Sequence, residues 1–239
     1  MQAGLMRDVW REWRLVPGRL GGIPGVFLLL GFLGALGYML PSSMGYGFLD
    51  PHLIAMYACS PPFFLSSVVA ASFSEEGGKL AGKLAGKLAG KMVACVVYGW
   101  LASIVLLAMA LTTVNVKEWH GAAVLPETGF LMWCLLLGLS LALFTTALGV
   151  MLSLGNRDEQ SVKRALRSGF FWALVGVVIL ARYGLLEWRE AFTSLLTAEG
   201  MARLSGAGSV ALLVVSAVIL RTVAAHPRWQ HPGWQHPGW

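Results

Sequence analysis

The residues of this sequence that could do chemistry lie mostly between its apolar blocks. The densest group is Ser72-Phe73-Ser74-Glu75-Glu76, in which two neighbouring carboxylates follow an aromatic residue. No ionisable residue lies at the centre of an apolar block, since His52, Arg182 and Arg221 all fall near block ends. Ion-coupled transporters, proton relays and intramembrane hydrolases need reactive groups that converge inside the blocks. The pattern therefore disfavours all three.

Thiols, imidazoles and nucleotide-binding motifs give no stronger signal. Cys59, Cys95 and Cys134 lie inside or at the end of apolar blocks, without a Cys-x-x-Cys or Cys/His cluster, which is typical of buried hydrophobes. Residues 227–239 contain two copies of Gln-His-Pro-Gly-Trp, whose imidazoles could ligate copper. Without carboxylate or thiolate support, a disordered cytosolic tail is the favoured interpretation. No P-loop motif occurs, so the chain is not expected to bind ATP by one. Since reactive and metal-ligating clusters are also missing from the sequence, we expect no enzymatic site, no metal and no cofactor in this chain.

The composition of the chain predicts the kind of secondary-structure elements that carry these residues. Apolar residues form 56% of the 239-residue chain and charged residues only 13%, which is too few charges to cover the surface of a soluble protein. The apolar residues come in blocks long enough to cross a hydrocarbon core of ~30 Å at 1.5 Å per residue. The sequence therefore predicts an all-α, polytopic membrane protein with a single transmembrane domain over residues 1–226. Its predicted spans cover residues 23–40, 52–73, 92–114, 129–154, 169–186 and 207–225.

Lysine and arginine predict the orientation of these spans. If the N-terminus is cytosolic, 14 of the 18 basic residues lie on the cytosolic side and 4 on the outer side, whereas the acidic residues divide evenly. The positive-inside rule counts Lys and Arg rather than net charge. Both termini are therefore predicted in the cytosol. The net charge of +6 is read as topology-determining charge, so no nucleic-acid partner is expected.

The N-terminal residues 4–16 have an amphipathic pattern. Apolar side chains recur at steps of three and four, and arginines mark the opposite face. Tryptophan on the apolar stripe and arginine on the polar one are typical of a helix in the membrane interface. The residues that carry this prediction are Trp10, Arg11, Trp13 and Arg14. An ordinary cytosolic start that packs on protein is the alternative.

The segment between the second and third predicted spans resembles a family pattern. Here Ala71-Ser72-Phe73-Ser74-Glu75-Glu76 is followed by three Lys-Leu-Ala-Gly repeats and by Gly90-Lys91 at the third span. With six spans and the interfacial N-terminal helix, this layout resembles the membrane subunits of ABC-2 type exporters. Residues 156–165, which include Ser161 and Ala165, are similar to the family's second cytosolic loop. The apolar spacing before the last span is similar to its outer re-entrant helices; the residues concerned are Leu185, Trp188, Phe192, Leu195 and Leu196.

The resemblance implies a permease subunit that forms a substrate pathway as a dimer, with a second copy or a sibling permease, in the bacterial cytoplasmic membrane. Separate ATPase subunits would bind ATP and Mg²⁺ and would dock on the cytosolic loops. It implies coupling through Phe73, Ser74, Glu75 and Glu76. The pathway or dimer interface would be lined by small and kinked positions: Pro61, Pro62, Ser66, Gly169, Ala173 and Gly176.

Two departures leave alternatives open. The family usually has a basic, Thr-Leu-Glu-like segment after the carboxylate, where this chain has Gly77-Gly78 and the repeats. Glycine at every fourth residue weakens a helix, so the repeats are read either as a basic connector attracted to anionic lipid or as a docking surface for the ATPase. A non-transport scaffold or assembly factor that recruits a cytosolic partner is the main alternative function. A membrane enzyme acting on lipid is a third.

Overall fold

The computed structural model describes residues 84–117, 125–155 and 197–225. It also describes several isolated helical positions: Arg7, Trp10, Ile54, Ala55, Ala58, Cys59, Phe73, 160–162, 164–166, 168 and 169. Within this part of the chain all residues are helical except 125–127 and Thr197. The all-helical class is therefore confirmed for the described residues.

Three long helices form the described architecture. They are α1 (Leu84–Lys117), α2 (Thr128–Gly155) and α3 (Ala198–Ala225). Each contains a segment long and apolar enough to cross a membrane: Ala89–Thr112, Thr128–Ser153 and Glu199–Ala225, with mean hydropathy of 2.3, 2.2 and 2.0. These three helices correspond to the third, fourth and sixth predicted spans. The remaining predicted spans, 23–40, 52–73 and 169–186, lie outside the described residues apart from isolated positions.

Helix α3 begins before the predicted start of the last span. The sequence predicts that the last span begins at residue 207, but α3 begins at Ala198. Thr197 caps the helix, because its hydroxyl oxygen accepts a hydrogen bond from the Gly200 N–H at 3.1 Å and its carbonyl oxygen accepts one from Met201 at 2.8 Å. The Glu199 carboxylate, in the first turn, interacts favourably with the positive N-terminal end of the helix dipole. It also forms an ion pair with Arg203.

Helix α1 also extends into the predicted outer loop at 115–128. Helix α1 continues to Lys117, and the Asn115 side chain donates a hydrogen bond to the carbonyl oxygen of Leu111 at 2.8 Å. This bond satisfies the amide within the helix, so a polar residue does not end it here. Residues 118–124 lie outside the described part of the chain.

Helix α2 packs between α1 and α3 and forms two apolar clusters with them. The Phe130 cluster joins the first half of α2 to the second half of α1 and to the start of α3; its buried members are Ile54, Ala55, Ala58, Ala102, Leu106, Leu107, Phe130, Cys134 and Met201. The Phe73 cluster lies at the other end; its buried members are Phe73, Cys95, Ala147, Val150, Val162, Leu166, Ile219 and Val223.

The membership of these clusters gives the direction of each helix. The start of α2 and the start of α3 meet in the Phe130 cluster, whereas both of their ends meet in the Phe73 cluster. Hence α2 and α3 run parallel, and α1 runs antiparallel to both. Glycines permit the close approach of α2 and α3: a Cβ on Gly206 would lie 3.3 Å from the Trp133 ring, and one on Gly208 would lie 3.5 Å from Leu137.

Candidate functional site

The Phe73 cluster is the candidate functional site, because it joins separate segments that the sequence assigns to the cytosolic end. Phe73 ends the second predicted span, and Val162 and Leu166 belong to or border the second predicted cytosolic loop. They pack with Cys95 near the start of α1 and with Val223 near the end of α3. Segments far apart in sequence therefore share one apolar core at this end of the helices.

Lys91 lies against this cluster and is buried. Only 4% of its surface is exposed, although lysine is almost never fully buried unless it is paired. Its Nζ atom lies 5.5 Å from the centroid of the Phe73 ring. That distance is within the range of a cation–π interaction, in which the negative face of the ring attracts the ammonium group. Lys91 and Cys95 are four residues apart and so occupy one face of α1.

The described residues between 160 and 169 form an amphipathic helical surface. Val162 and Leu166, four residues apart, are buried in the cluster. Arg164, Ala165 and Ser168 are exposed. This segment is therefore anchored by its apolar face and presents a polar face that includes a cation at the same end as Phe73. Such a surface could contact a soluble partner or lipid headgroups.

The predicted site residues are only partly within the described chain. Phe73 is buried with 6% of its surface exposed, and Gly169 is exposed, with no atom within 4 Å of the position that a Cβ would take there. Trp10 is helical and 58% exposed. The other predicted coupling, interfacial and pathway residues lie outside the described residues: Ser74, Glu75, Glu76, Arg11, Trp13, Arg14, Pro61, Pro62, Ser66, Ala173 and Gly176. Their roles stay predictions.

Sequence reasoning misses the contact between Lys91 and Phe73. Both residues are parts of the family-like pattern, and Phe73 is predicted to couple to a partner. A buried lysine at the edge of an apolar block is indistinguishable in sequence from one that reaches the headgroups, because its long stem permits either placement. The one signal in the sequence is the aromatic residue at the end of the preceding block.

Buried hydroxyl groups in the described helices are satisfied locally. Most donate a hydrogen bond to a carbonyl oxygen three or four residues earlier in the same helix; they are Ser103, Ser140, Thr145, Thr146, Ser209 and Ser216. This is the usual way for serine and threonine to lie in an apolar helix. Groups of three or more His, Cys, Asp or Glu side chains that could hold a metal do not occur among the described residues.

Ser205 is the exception among the buried hydroxyls. Its oxygen is buried without a hydrogen-bond partner of ordinary geometry in the described structure, and it faces the Cys134 thiol. Cys59 lies beside Cys134 in turn. A thiol is only a weak hydrogen-bond acceptor and donor.

Comparison with known proteins gives no family assignment. No protein-family model matches the chain, and neither a characterised protein nor a solved structure is significantly similar to it. Function has to be inferred from the membrane-embedded helices and from the cluster that joins their ends.

Proposed function

We propose that this chain is the permease subunit of an ATP-driven exporter of the ABC-2 type. It would work as a dimer, with itself or with a sibling permease, and separate ATPase subunits would bind ATP and Mg²⁺. The observation that carries the proposal is the Phe73 cluster. Phe73 and the 160–169 segment are the two places where the family-like sequence pattern predicts docking, and they pack into one core.

This arrangement suits a chain that receives force at one end. A partner that displaces the segment after Phe73 would also displace α1, the 160–169 segment and the end of α3, because packed cores transmit strain rather than absorb it. The apolar cluster would thus convert movement of a soluble subunit into movement of several membrane helices together. Glu75 and Glu76 would form the contact with that subunit.

Helix direction supports the six-span topology. Since α2 and α3 run parallel, the chain between Gly155 and Ala198 has to return from the Phe73 end to the Phe130 end. A fifth span over residues 169–186 would supply that return. Likewise, Ile54 belongs to the Phe130 cluster and Phe73 to the other cluster, as a second span over residues 52–73 requires.

The bacterial cytoplasmic membrane is the location that the family resemblance implies, and the charge distribution supports an orientation with both termini in the cytosol. The Phe73 end would face the cytosol, because most lysines and arginines flank the predicted spans on that side. The substrate would be hydrophobic or amphipathic, since most buried hydroxyl groups of the described helices are already bonded to carbonyl oxygens of their own helix. Its pathway would lie at the dimer interface near Pro61, Pro62, Ser66, Gly169, Ala173 and Gly176.

The test is purification of the full chain in mild detergent with its bound partner, followed by ATP hydrolysis measurements in lipid nanodiscs. We expect an ATPase subunit to co-purify and to hydrolyse ATP at a rate that depends on the permease. Glu75→Ala plus Glu76→Ala should retain assembly and lose that dependence. Glu199→Ala plus Arg203→Ala, which removes an exposed ion pair at the opposite end of α3, is the matched control and should behave as wild type.

Two results would contradict the proposal. Normal coupled hydrolysis by the double glutamate variant would remove the role given to those carboxylates. Accumulation of a substrate by the purified chain alone in liposomes, driven by an ion gradient, would overturn the requirement for a separate ATPase.

A scaffold that recruits a cytosolic partner without transport is the second candidate. The exposed polar face that includes Arg164 and Ser168 suits static docking equally well. The two functions differ in the partner: a scaffold would bind a protein whose activity does not change when the Phe73 end is altered. The nanodisc measurement therefore separates them.

A further inference from the structure

Lys91 places a charged side chain inside an apolar segment. It is the third residue of the apolar segment Ala89–Thr112, and its Nζ atom is buried. Burying an ammonium group sacrifices its hydration, which is unfavourable unless other groups stabilise the charge. At a membrane boundary, a lysine side chain ordinarily extends toward water and keeps its ammonium group hydrated. The fold instead turns this side chain inward over an aromatic ring.

The contact closes a loop in the chain. Phe73 lies at the end of the second predicted span, Lys91 lies near the start of α1, and residues 74–90 connect them. The Nζ atom is 5.5 Å from the Phe73 ring centroid, and only 6% of the Phe73 surface is exposed. The two side chains therefore join the end of the second predicted span to the start of α1 at a point that is shielded from solvent.

We propose that Lys91 is a positioning residue, which holds the Phe73 ring against the start of α1 so that Phe73 and α1 move together. This role deepens the proposed function, on which its consequence for ATP hydrolysis rests. A cation–π interaction between Lys91 and Phe73 requires both the charge and the aromatic ring. A purely apolar contact between the same two side chains requires neither. This difference allows the contact itself to be tested without any assumption about transport.

The first experiment is a double-mutant cycle on thermal unfolding of the purified full chain. Phe73→Leu keeps an apolar side chain and removes the ring, and Lys91→Met keeps an apolar stem and removes the charge. We expect Phe73→Leu to lower Tm by roughly 2–4 °C more in the wild-type background than in the Lys91→Met background. Only the difference between backgrounds is interpreted, because removal of a buried charge can by itself raise Tm. Equal shifts in both backgrounds would overturn the proposed contact.

The second experiment measures partner-dependent ATP hydrolysis in nanodiscs. Lys91→Arg preserves a cation that can lie over the ring and should retain coupling, whereas Lys91→Met should lose it while the complex stays assembled. Arg221→Met removes an exposed cation near the same end of α3 and should have no effect. If Lys91→Met destabilises the chain, Lys91→Gln provides a second neutral variant.

The outcomes separate this inference from the proposed function. A non-additive cycle together with lost hydrolysis in Lys91→Met supports the positioning role. A non-additive cycle with unchanged hydrolysis overturns that role. If no ATPase co-purifies, the proposed function fails and the coupling role fails with it, while the thermal cycle still decides whether Lys91 holds Phe73.

Discussion

The backbone of Ala58 packs directly against Gly138, so that a Cβ on Gly138 would lie 2.8 Å from the Ala58 carbonyl oxygen. The Ser103 hydroxyl oxygen would lie 3.4 Å from the same Cβ. Three parts of the chain therefore meet at one glycine, where α2 crosses α1 and the segment that contains Ala58. Small residues allow such close approach in membranes, where association depends on packing rather than on exclusion of water.

Gly138→Ala should destabilise the protein by roughly 1–3 kcal/mol, which is the usual cost of overpacking a well-packed core. The added methyl group meets a backbone atom, which cannot rotate away. Thermal unfolding in detergent measures the effect. Gly129→Ala is the control, because its Cβ would meet only the Glu127 side chain at 3.8 Å. A Gly138→Ala protein as stable as the control would contradict the described crossing.

Thr197→Ala should destabilise the start of α3. The substitution removes the hydroxyl that accepts the Gly200 N–H, and loss of an N-cap costs ~1 kcal/mol. Faster amide hydrogen exchange across residues 198–201 is the expected result. Thr222→Ala removes an exposed hydroxyl that bonds within the last turns of the same helix, and exchange at the start of α3 should be unchanged in that variant. Equal exchange in wild type and Thr197→Ala would place the start of the helix elsewhere.

Ser205→Ala should leave Tm unchanged or raise it. The Ser205 hydroxyl is buried without a good partner, so its removal sacrifices little and avoids the cost of burying a polar group. Ser209→Ala, one turn later, removes a hydroxyl that donates a hydrogen bond to the Ser205 carbonyl oxygen at 2.7 Å and should lower stability by about 0.5–1.5 kcal/mol. A larger loss in Ser205→Ala than in Ser209→Ala would show that the Ser205–Cys134 contact is strong.

Cysteines introduced at Val116 and Ser168 should be labelled from opposite sides of the membrane. Val116 is 75% exposed near the end of α1, and Ser168 is exposed beside the Phe73 cluster, which includes the start of α1. In a background without native cysteines, an impermeant maleimide should label Val116→Cys in intact cells and Ser168→Cys only after permeabilisation. Labelling of both cysteines from the same side would contradict the helix directions. If Ser168→Cys is labelled in intact cells and Val116→Cys only after permeabilisation, the proposed orientation alone is contradicted.

The sequence predicts α2 better than it predicts its neighbours. Helix α2 spans Thr128–Gly155 against a predicted 129–154, because one uninterrupted apolar block coincides with one helix. Helices α1 and α3 both begin before the spans predicted from residues 92 and 207, for a shared reason. Hydropathy measures the part of a helix that suits lipid, whereas both helices begin in polar turns: α1 within the Lys-Leu-Ala-Gly repeats and α3 at the Thr197 cap.

The candidate site is harder to predict than the helices. Phe73 stands out in a local motif, but its contact with Lys91 joins residues on either side of a connecting segment. Composition and periodicity describe one element at a time, so they give no information on which buried side chains of different elements meet. The six-span topology predicts that α2 and α3, as the fourth and sixth spans, run in the same direction. It does not predict which residues of the two helices are in contact.

Helix α1 begins within the Lys-Leu-Ala-Gly repeats, so the number of repeats affects the length of this helix. Helix α1 begins at Leu84, five residues before its apolar segment begins at Ala89, so about 7.5 Å of helix precedes that segment at 1.5 Å per residue. One four-residue repeat adds ~6 Å and turns the chain by ~400°, or ~40° beyond a full turn. If the repeats are helical, a change in their number would therefore alter both the length of α1 before its apolar segment and the direction in which the start of the helix faces.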